Sequence, residues 1–461
     1  MIRFFLFSMR KTLGVAQLAF RAAVRTRAVA ALLGLLALCV IALPLVVQGD
    51  GTPAGQLHIQ LTYTLGLAFA ILCLATLWSA CALFAAEIDT LRIELTAVKP
   101  VTRAELWFGK WFALLALDAW MLAFVYAGVY AQTALRMHRE KWPDSARPGC
   151  HFVSRPELPS PAEEAREMYA MFKAKGELPK GVSKRRLLQI LAEKAPDRYT
   201  ILNPGEKVAW SFTLPRPVGK GDSLVLRIAF DTAFRTGRAI AGVCGIRCTD
   251  EGALRDEVPL PFDTGNLEPL NFRLDTATFL PGDSGEKPAL RHFTCTFHLN
   301  GSSKRDSATM LRYRKDVELL TPGGSFLANY ARAAFLQFCT LAALAALGLF
   351  LSACFTLPVA AFAGTLLLVL FPVTHSVTLV VTEEDRDTWL NRTGIWISER
   401  VTESVNIAVR GNPLDLLTRG ERIDRKLLAS SVACDLAIFP LLFAGAGCLV
   451  LRKRELSEAK S

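Results

Sequence analysis

The 461-residue sequence has only six histidines and no HExxH pair, which excludes the helical zinc-protease site. It has no GxSxG elbow, the signature of the α/β-hydrolase nucleophile. It also has no GxxxxGK[ST] loop. The nearest string, VGKGDS at 218–223, lacks both the first glycine and a hydroxyl after the lysine, so this chain does not cradle ATP phosphates in the P-loop manner. Close cysteines are scarce: Cys244 and Cys248 form the one close pair in the polar part of the chain, and no second pair completes a zinc pattern. No internal repeat, low-complexity tract or nucleic-acid-binding motif is present, so the formal net charge of +11 does not argue for nucleic acid.

Charge is also missing locally. Residues 1–27 contain no acid, but carry Arg3, Arg10, Lys11, Arg21, Arg25 and Arg27 among apolar residues at helical spacing. This predicts a basic amphipathic helix on an anionic leaflet. The rival reading is a signal peptide. It fits less well, because the apolar core that follows is about twice the usual length and its flank, QGDGTPAGQ, is a poor cleavage site. Apolar blocks follow at Ala28–Val47, Leu61–Ala86 and Leu106–Ala134. Between Ala333 and Thr382 there is no Asp, Glu, Lys or Arg, a run too long for one crossing at about 1.5 Å per residue. It therefore predicts two helices turning at SACFTLP (352–358), and Leu427–Leu451 makes a sixth.

The expected fold is an α-helical polytopic membrane protein of six transmembrane helices, with an inserted extracytoplasmic α+β domain containing a small antiparallel β-sandwich. Its parts are a basic helix (1–27), helices 1–3 with a charged connection at 87–110 (28–134), the inserted domain (135–330), helices 4–5 (331–382), an outer loop with short helices (383–426), and helix 6 with a basic tail (427–461). The Arg452-Lys453-Arg454 tail and the basic N-terminus place both ends in the cytoplasm, as an even number of spans requires. The chain thus belongs in the plasma (cytoplasmic) membrane, the cell inner membrane.

Within the inserted domain, 159–195 is charged and helix-prone. Residues 199–321 alternate apolar and polar residues between turn residues, as in EKVAWSFTLP and LRHFTCTFHLN. Cys150, Cys244, Cys248 and Cys295 lie in this polar domain, and four thiols facing an oxidising space predict disulfides in one of three connectivities. Trp210 and Phe212 share a strand face and suit a sandwich core. His292 and His298 lie on one face of a strand and, without a third ligand, predict no metal site.

Asp118 falls about 16 Å into the third helix and Asp435 inside the sixth. Intramembrane carboxylates are costly and face the bundle interior or a wet path. Three roles are open for them: hydrogen-bonded structural partners, a translocation path, or catalysis. The motifs that flank intramembrane aspartyl proteases are absent from LALDAWM and VACDLAI.

The connection between helices two and three reads E-x6-E-x5-P-x2-R-x-E-x3-GK, through Glu87, Glu94, Pro100, Arg103, Glu105, Gly109 and Lys110. Pro100 ends one helical piece. Thr102, with Glu105 three positions on, predicts a capping box starting a short surface-parallel helix, Thr102 to Gly109. A solvated loop with snorkelling Lys and Arg is the plainer reading of the same residues.

This segment resembles the corresponding elbow of ABC-2 type transporter permeases, with matches at Glu87, Pro100, Val101, Arg103, Glu105, Leu106, Gly109 and Lys110. Leu91 and Arg92 stand where that family has Gly-Thr, and the family core lacks the inserted domain. The resemblance implies a transmembrane permease subunit, an exporter, with no catalytic residues of its own. It also implies a separate cytoplasmic ATPase that binds ATP and Mg and grips the elbow, and a second permease subunit in the bilayer. The alternative is a polytopic anchor that displays the outer domain as a binding or assembly module without transport.

Overall fold

The computed structural model describes residues 2–47, 53–89, 102–141, 148–176, 178, 183–195, 198–203, 205–219, 221–232, 240–250, 253, 256–264, 270–280, 290–300, 309–376 and 413–453. The chain divides into two compact units: the described residues of 150–324 form one, and those before 150 and from 325 onward form the other. Glu94, Pro100 and the GIWISERVTESVNIAV stretch lie outside the described residues.

The helical unit begins with α1 (Ile2–Val24) and α2 (Arg27–Val46). Thr26 caps α2, its hydroxyl accepting from the Val29 amide. The second span is longer than its apolar block. It starts at α3 (Pro53–His58), widens through a π turn (Ile59–Thr64) and continues as α4 (Leu65–Asp89). The third is a single helix, α5 (Arg103–Arg139). Its 37 residues run about 55 Å, well beyond an apolar bilayer core. This corrects one expectation: the helix that begins at Thr102 does not stop at Gly109 but continues without a break into the span. Gly109 and Lys110 are both buried, so packing holds the helix together past its expected end.

The other unit holds β1 (His151–Ser154), α6 (Pro161–Lys175), α7 (Lys184–Lys194), β2 (Thr200–Leu202), β3 (Lys207–Val218), β4 (Ser223–Ile228), β5 (Asp231–Thr232), β6 (Ile240–Cys248), β7 (Val258–Thr264), β8 (Leu270–Asp275), β9 (Leu290–Leu299), β10 (Thr309–Leu311), α8 (Tyr313–Asp316) and β11 (Val317–Pro322). Strand alternation sorts these into two four-stranded antiparallel sheets, β1-β11-β4-β8 and β3-β9-β6-β7, with a small β2-β10-β5 sheet beside them. Leu224, Leu226, Ile228, Val317 and Leu319 of the first sheet share one hydrophobic cluster with Phe212, Ile246, Phe293 and Phe297 of the second, the packing of a sandwich. Trp210 lies in this core too, as expected. Ser160 caps α6 in a capping box with Glu163, and Gly176 ends it at φ 68.

The chain re-enters the helical unit as α9 (Phe326–Cys354), breaks at Phe355–Thr356 inside the expected turn, and resumes as α10 (Leu357–Ser376). Next come α11 (Pro413–Thr418), α12 (Arg425–Ser431), a second π segment (Val432–Ile438) and α13 (Phe439–Lys453). Five helical stretches are long and apolar enough to cross a membrane: Arg27–Val46, Gly55–Phe84, Arg103–Arg139, Phe326–Cys354 and Arg425–Leu451. The remaining expected span, the fifth in chain order, corresponds to α10, whose apolar part is the shorter stretch Leu357–Val369. Together these make a multi-pass membrane protein.

Small residues set the helix contacts. A Cβ on Gly348 of α9 would stand 2.6 Å from the Ala80 Cβ and 3.0 Å from the Leu77 carbonyl of α4, so that pair approaches backbone to backbone. Asn329 stitches the start of α9 to the loop after α11: its Nδ2 donates to the Glu421 carbonyl at 2.8 Å, and its Oδ1 accepts from the Ile423 amide at 2.9 Å.

Candidate functional site

The start of α5 is built as its sequence predicts. Thr102 takes extended backbone, its hydroxyl accepts from the Glu105 amide at 3.2 Å, and the Glu105 carboxylate accepts from the Thr102 amide at 2.7 Å. Two otherwise orphaned helix donors are satisfied reciprocally. Glu105 is thereby buried in capping, while Arg103 and Ala104 stay exposed.

Gly109 and Lys110 then join this helix to two others. A Cβ on Gly109 would meet Val15 Cγ1 at 2.6 Å and the Thr12 carbonyl at 3.0 Å, so α1 packs directly on α5 where the side chain is missing. Lys110, 2% exposed, donates to the Leu83 carbonyl of α4 at 2.9 Å and lies 3.8 Å over the Phe84 ring. One turn of α5 thus clasps the basic amphipathic helix on one side and the end of the second span on the other. Glu87 belongs to α4. Of the seven elbow residues expected from sequence, four are placed together at the head of α5: Arg103, Glu105, Gly109 and Lys110.

Further along α5, a polar stripe faces the bundle interior. Trp111 Nε1 donates to the Ala342 carbonyl at 3.0 Å, Tyr126 donates to Gln337 at 3.0 Å, and Thr133 donates to Gln60 at 2.9 Å. Asp118 sits between them. Its Oδ1 accepts from Thr76 at 2.7 Å, and its Oδ2 is buried with no partner. The spacings 111, 118, 126 and 133 keep these groups on one face of the helix. Sequence singled out Asp118 alone. The signal for the rest was the seven- to eight-residue recurrence of polar groups, which hydropathy averaging hides. Asp435, also buried, lies in the second π segment, and no described side chain bonds to it.

The sandwich contains a second charged constellation. Asp250, just past β6, accepts from the amides of Arg291 and His292, from His292 Nδ1 at 2.6 Å, and from the Cys248 thiol at 3.5 Å. Burial opposes its ionisation, but the Arg291 and His292 amides and the His292 ring outweigh burial and hold its pKa below the usual carboxylate value. A carboxylate whose folded pKa lies below its unfolded one, roughly 4, contributes stability above that value and loses it as pH falls through the folded one. We expect acidification from pH 5 to pH 3 to lower the thermal midpoint of the sandwich more in the wild type than in Asp250→Asn. Equal shifts would contradict the role. His292 and His298 both face away from the core on β9, but six residues of strand separate them by about 20 Å. They share no ligand, and no cluster of three or more metal-binding side chains occurs among the described residues.

The four cysteines of the domain are buried free thiols. In the β6–β9 register Ile246 faces Cys295, so Cys295 is diagonal to both Cys244 and Cys248. Burial pushes the Cys295 thiol up to about 12 and the Cys248 thiol up to about 11, and it raises Cys244 as well, which makes all three unreactive. Cys150 lies outside the cluster that holds them. Diagonal neighbours on adjacent strands stand about 7–8 Å apart, at or beyond the reach of a disulfide, so the expected pairing of these cysteines is not formed in this register. Comparison with protein-family models, with curated proteins and with solved structures finds no match to this chain.

Proposed function

We propose that the chain is the transmembrane permease subunit of an ABC-2 type exporter, worked by a separate cytoplasmic ATPase through the head of α5. The observation that carries this reading is the capped, unbroken helix from Arg103 to Arg139, clasped by Gly109 and Lys110. A force applied at Arg103 and Ala104 reaches the middle of the bundle without a flexible joint, and α1 and α4 are carried along with it. ATP binding to the partner would favour one packing of the spans over another, and the difference in affinity supplies the work. Asp118 and Asp435 then face a path that opens between packings. A second permease subunit, forming a homo- or heterodimer, completes the assembly, with both chain ends and the elbow in the cytoplasm.

The test is Arg103→Ala in the permease reconstituted with its ATPase. We expect cargo-stimulated ATP hydrolysis to fall about tenfold, the equivalent of one lost charged contact of about 1.4 kcal/mol, with membrane insertion and thermal midpoint unchanged. Glu105→Ala should give the same loss and also cost about 1 kcal/mol of stability, because it removes the cap. Full stimulation in both variants would contradict the proposal.

A further inference from the structure

A groove of about 870 Å³ opens between the head of α5 and α13, lined by Thr102, Arg103, Gly445, Cys448 and Leu449. Small-molecule sites run from roughly 300 to 1,000 Å³, so the volume suits a ligand. The floor is open at Gly445, where a Cβ would find nothing within 4 Å. The walls are apolar, apart from a single cation at one end. Arg103 forms no ion pair with any described residue, and neighbouring Glu105 is turned back onto the Thr102 amide. The Thr102 hydroxyl is occupied by the cap. A polypeptide laid in this groove would bring a row of backbone N–H groups for which the lining side chains offer no free acceptor, and carbonyls that only Arg103 at one end could meet. A hydrocarbon chain brings none, and a phosphate complements the guanidinium.

We propose that this groove holds an anionic phospholipid, with an acyl chain along Gly445 and Leu449 and its phosphate on Arg103. The inference rests on the chain crossing a membrane and does not require the ATPase.

The experiment uses the full-length protein in phosphatidylcholine vesicles containing a phosphatidylglycerol with a photoreactive diazirine on its acyl chain, read out by peptide mass spectrometry. Adducts should concentrate at 445–449, at least several-fold above those on the exposed apolar face of α10. The same diazirine on phosphatidylcholine should label the groove several-fold less. Gly445→Leu, whose added Cβ enters open space, should remove most of the labelling while leaving membrane insertion and the thermal midpoint intact. Arg103→Gln should abolish the preference for phosphatidylglycerol. Even labelling of all lipid-facing helices would overturn the proposal, as would labelling that Gly445→Leu leaves unchanged.

Discussion

Gly109→Leu is expected to undock α1 from α5. The new side chain must occupy space held by Val15 and by the backbone of Thr12. Backbone cannot swing aside as a flexible side chain can, and overpacking of this kind costs about 1–3 kcal/mol. The readout is tryptic cleavage in detergent at Arg10, Lys11, Arg21 and Arg25. We expect it to be about tenfold faster or more in the variant, since each 1.4 kcal/mol of undocking is a factor of ten. Gly14→Ala is the control: it lies on α1 with nothing within 4 Å of the added methyl, and should cleave like the wild type or more slowly. Unchanged protection in Gly109→Leu would mean that α1 does not rest on the elbow.

The second large effect is in the sandwich, where two strand glycines three residues apart behave differently. A Cβ on Gly242 of β6 runs into the His298 backbone carbonyl and the Phe262 ring, and both neighbours are fixed by β-pairing or core packing. A Cβ on Gly245 meets chiefly the Glu257 carboxylate and the Thr296 hydroxyl, the movable ends of exposed or half-buried side chains. Gly242→Ala should therefore destabilise the domain by about 1–3 kcal/mol, as overpacking does. Gly245→Ala, although at a buried position, should cost clearly less, because only side-chain ends have to move. Chemical denaturation followed by sandwich-core fluorescence separates the two, and equal costs would show that the strand register differs from the one described.

Much of this architecture is legible in the sequence because two periods are strong. Alternation in LRHFTCTFHLN places Phe293, Cys295 and Phe297 inward and His292 and His298 outward, as found. The Thr102–Glu105 capping box is a local pattern that needs no tertiary context. The extents of the spans are less legible, because hydropathy follows apolar side chains whereas a helix continues as long as its backbone bonds do. The second span thus starts at Pro53 rather than Leu61, and α5 runs past Ala134 to Arg139. Gly109 misleads for a related reason. In a string it reads as a stop, but against Val15 it is the condition for a helix–helix contact. The interior stripe of Trp111, Tyr126 and Thr133 is invisible for a third reason: each group is ordinary alone, and only partners on α9 or near α3 mark it. Diagonal placement of Cys295 also needs register, which the sequence does not encode locally.

The central claim is that the head of α5 is where an ATP-hydrolysing partner grips. The direct measurement is in-cell photocrosslinking from an amino acid placed at Ala104, which is exposed and makes no part of the cap or the lipid groove. The account predicts capture of a P-loop ATPase, with a yield that changes when ATP is depleted. If residue 104 captures no such protein, or reacts with a membrane-impermeant reagent added only from outside, the account is contradicted.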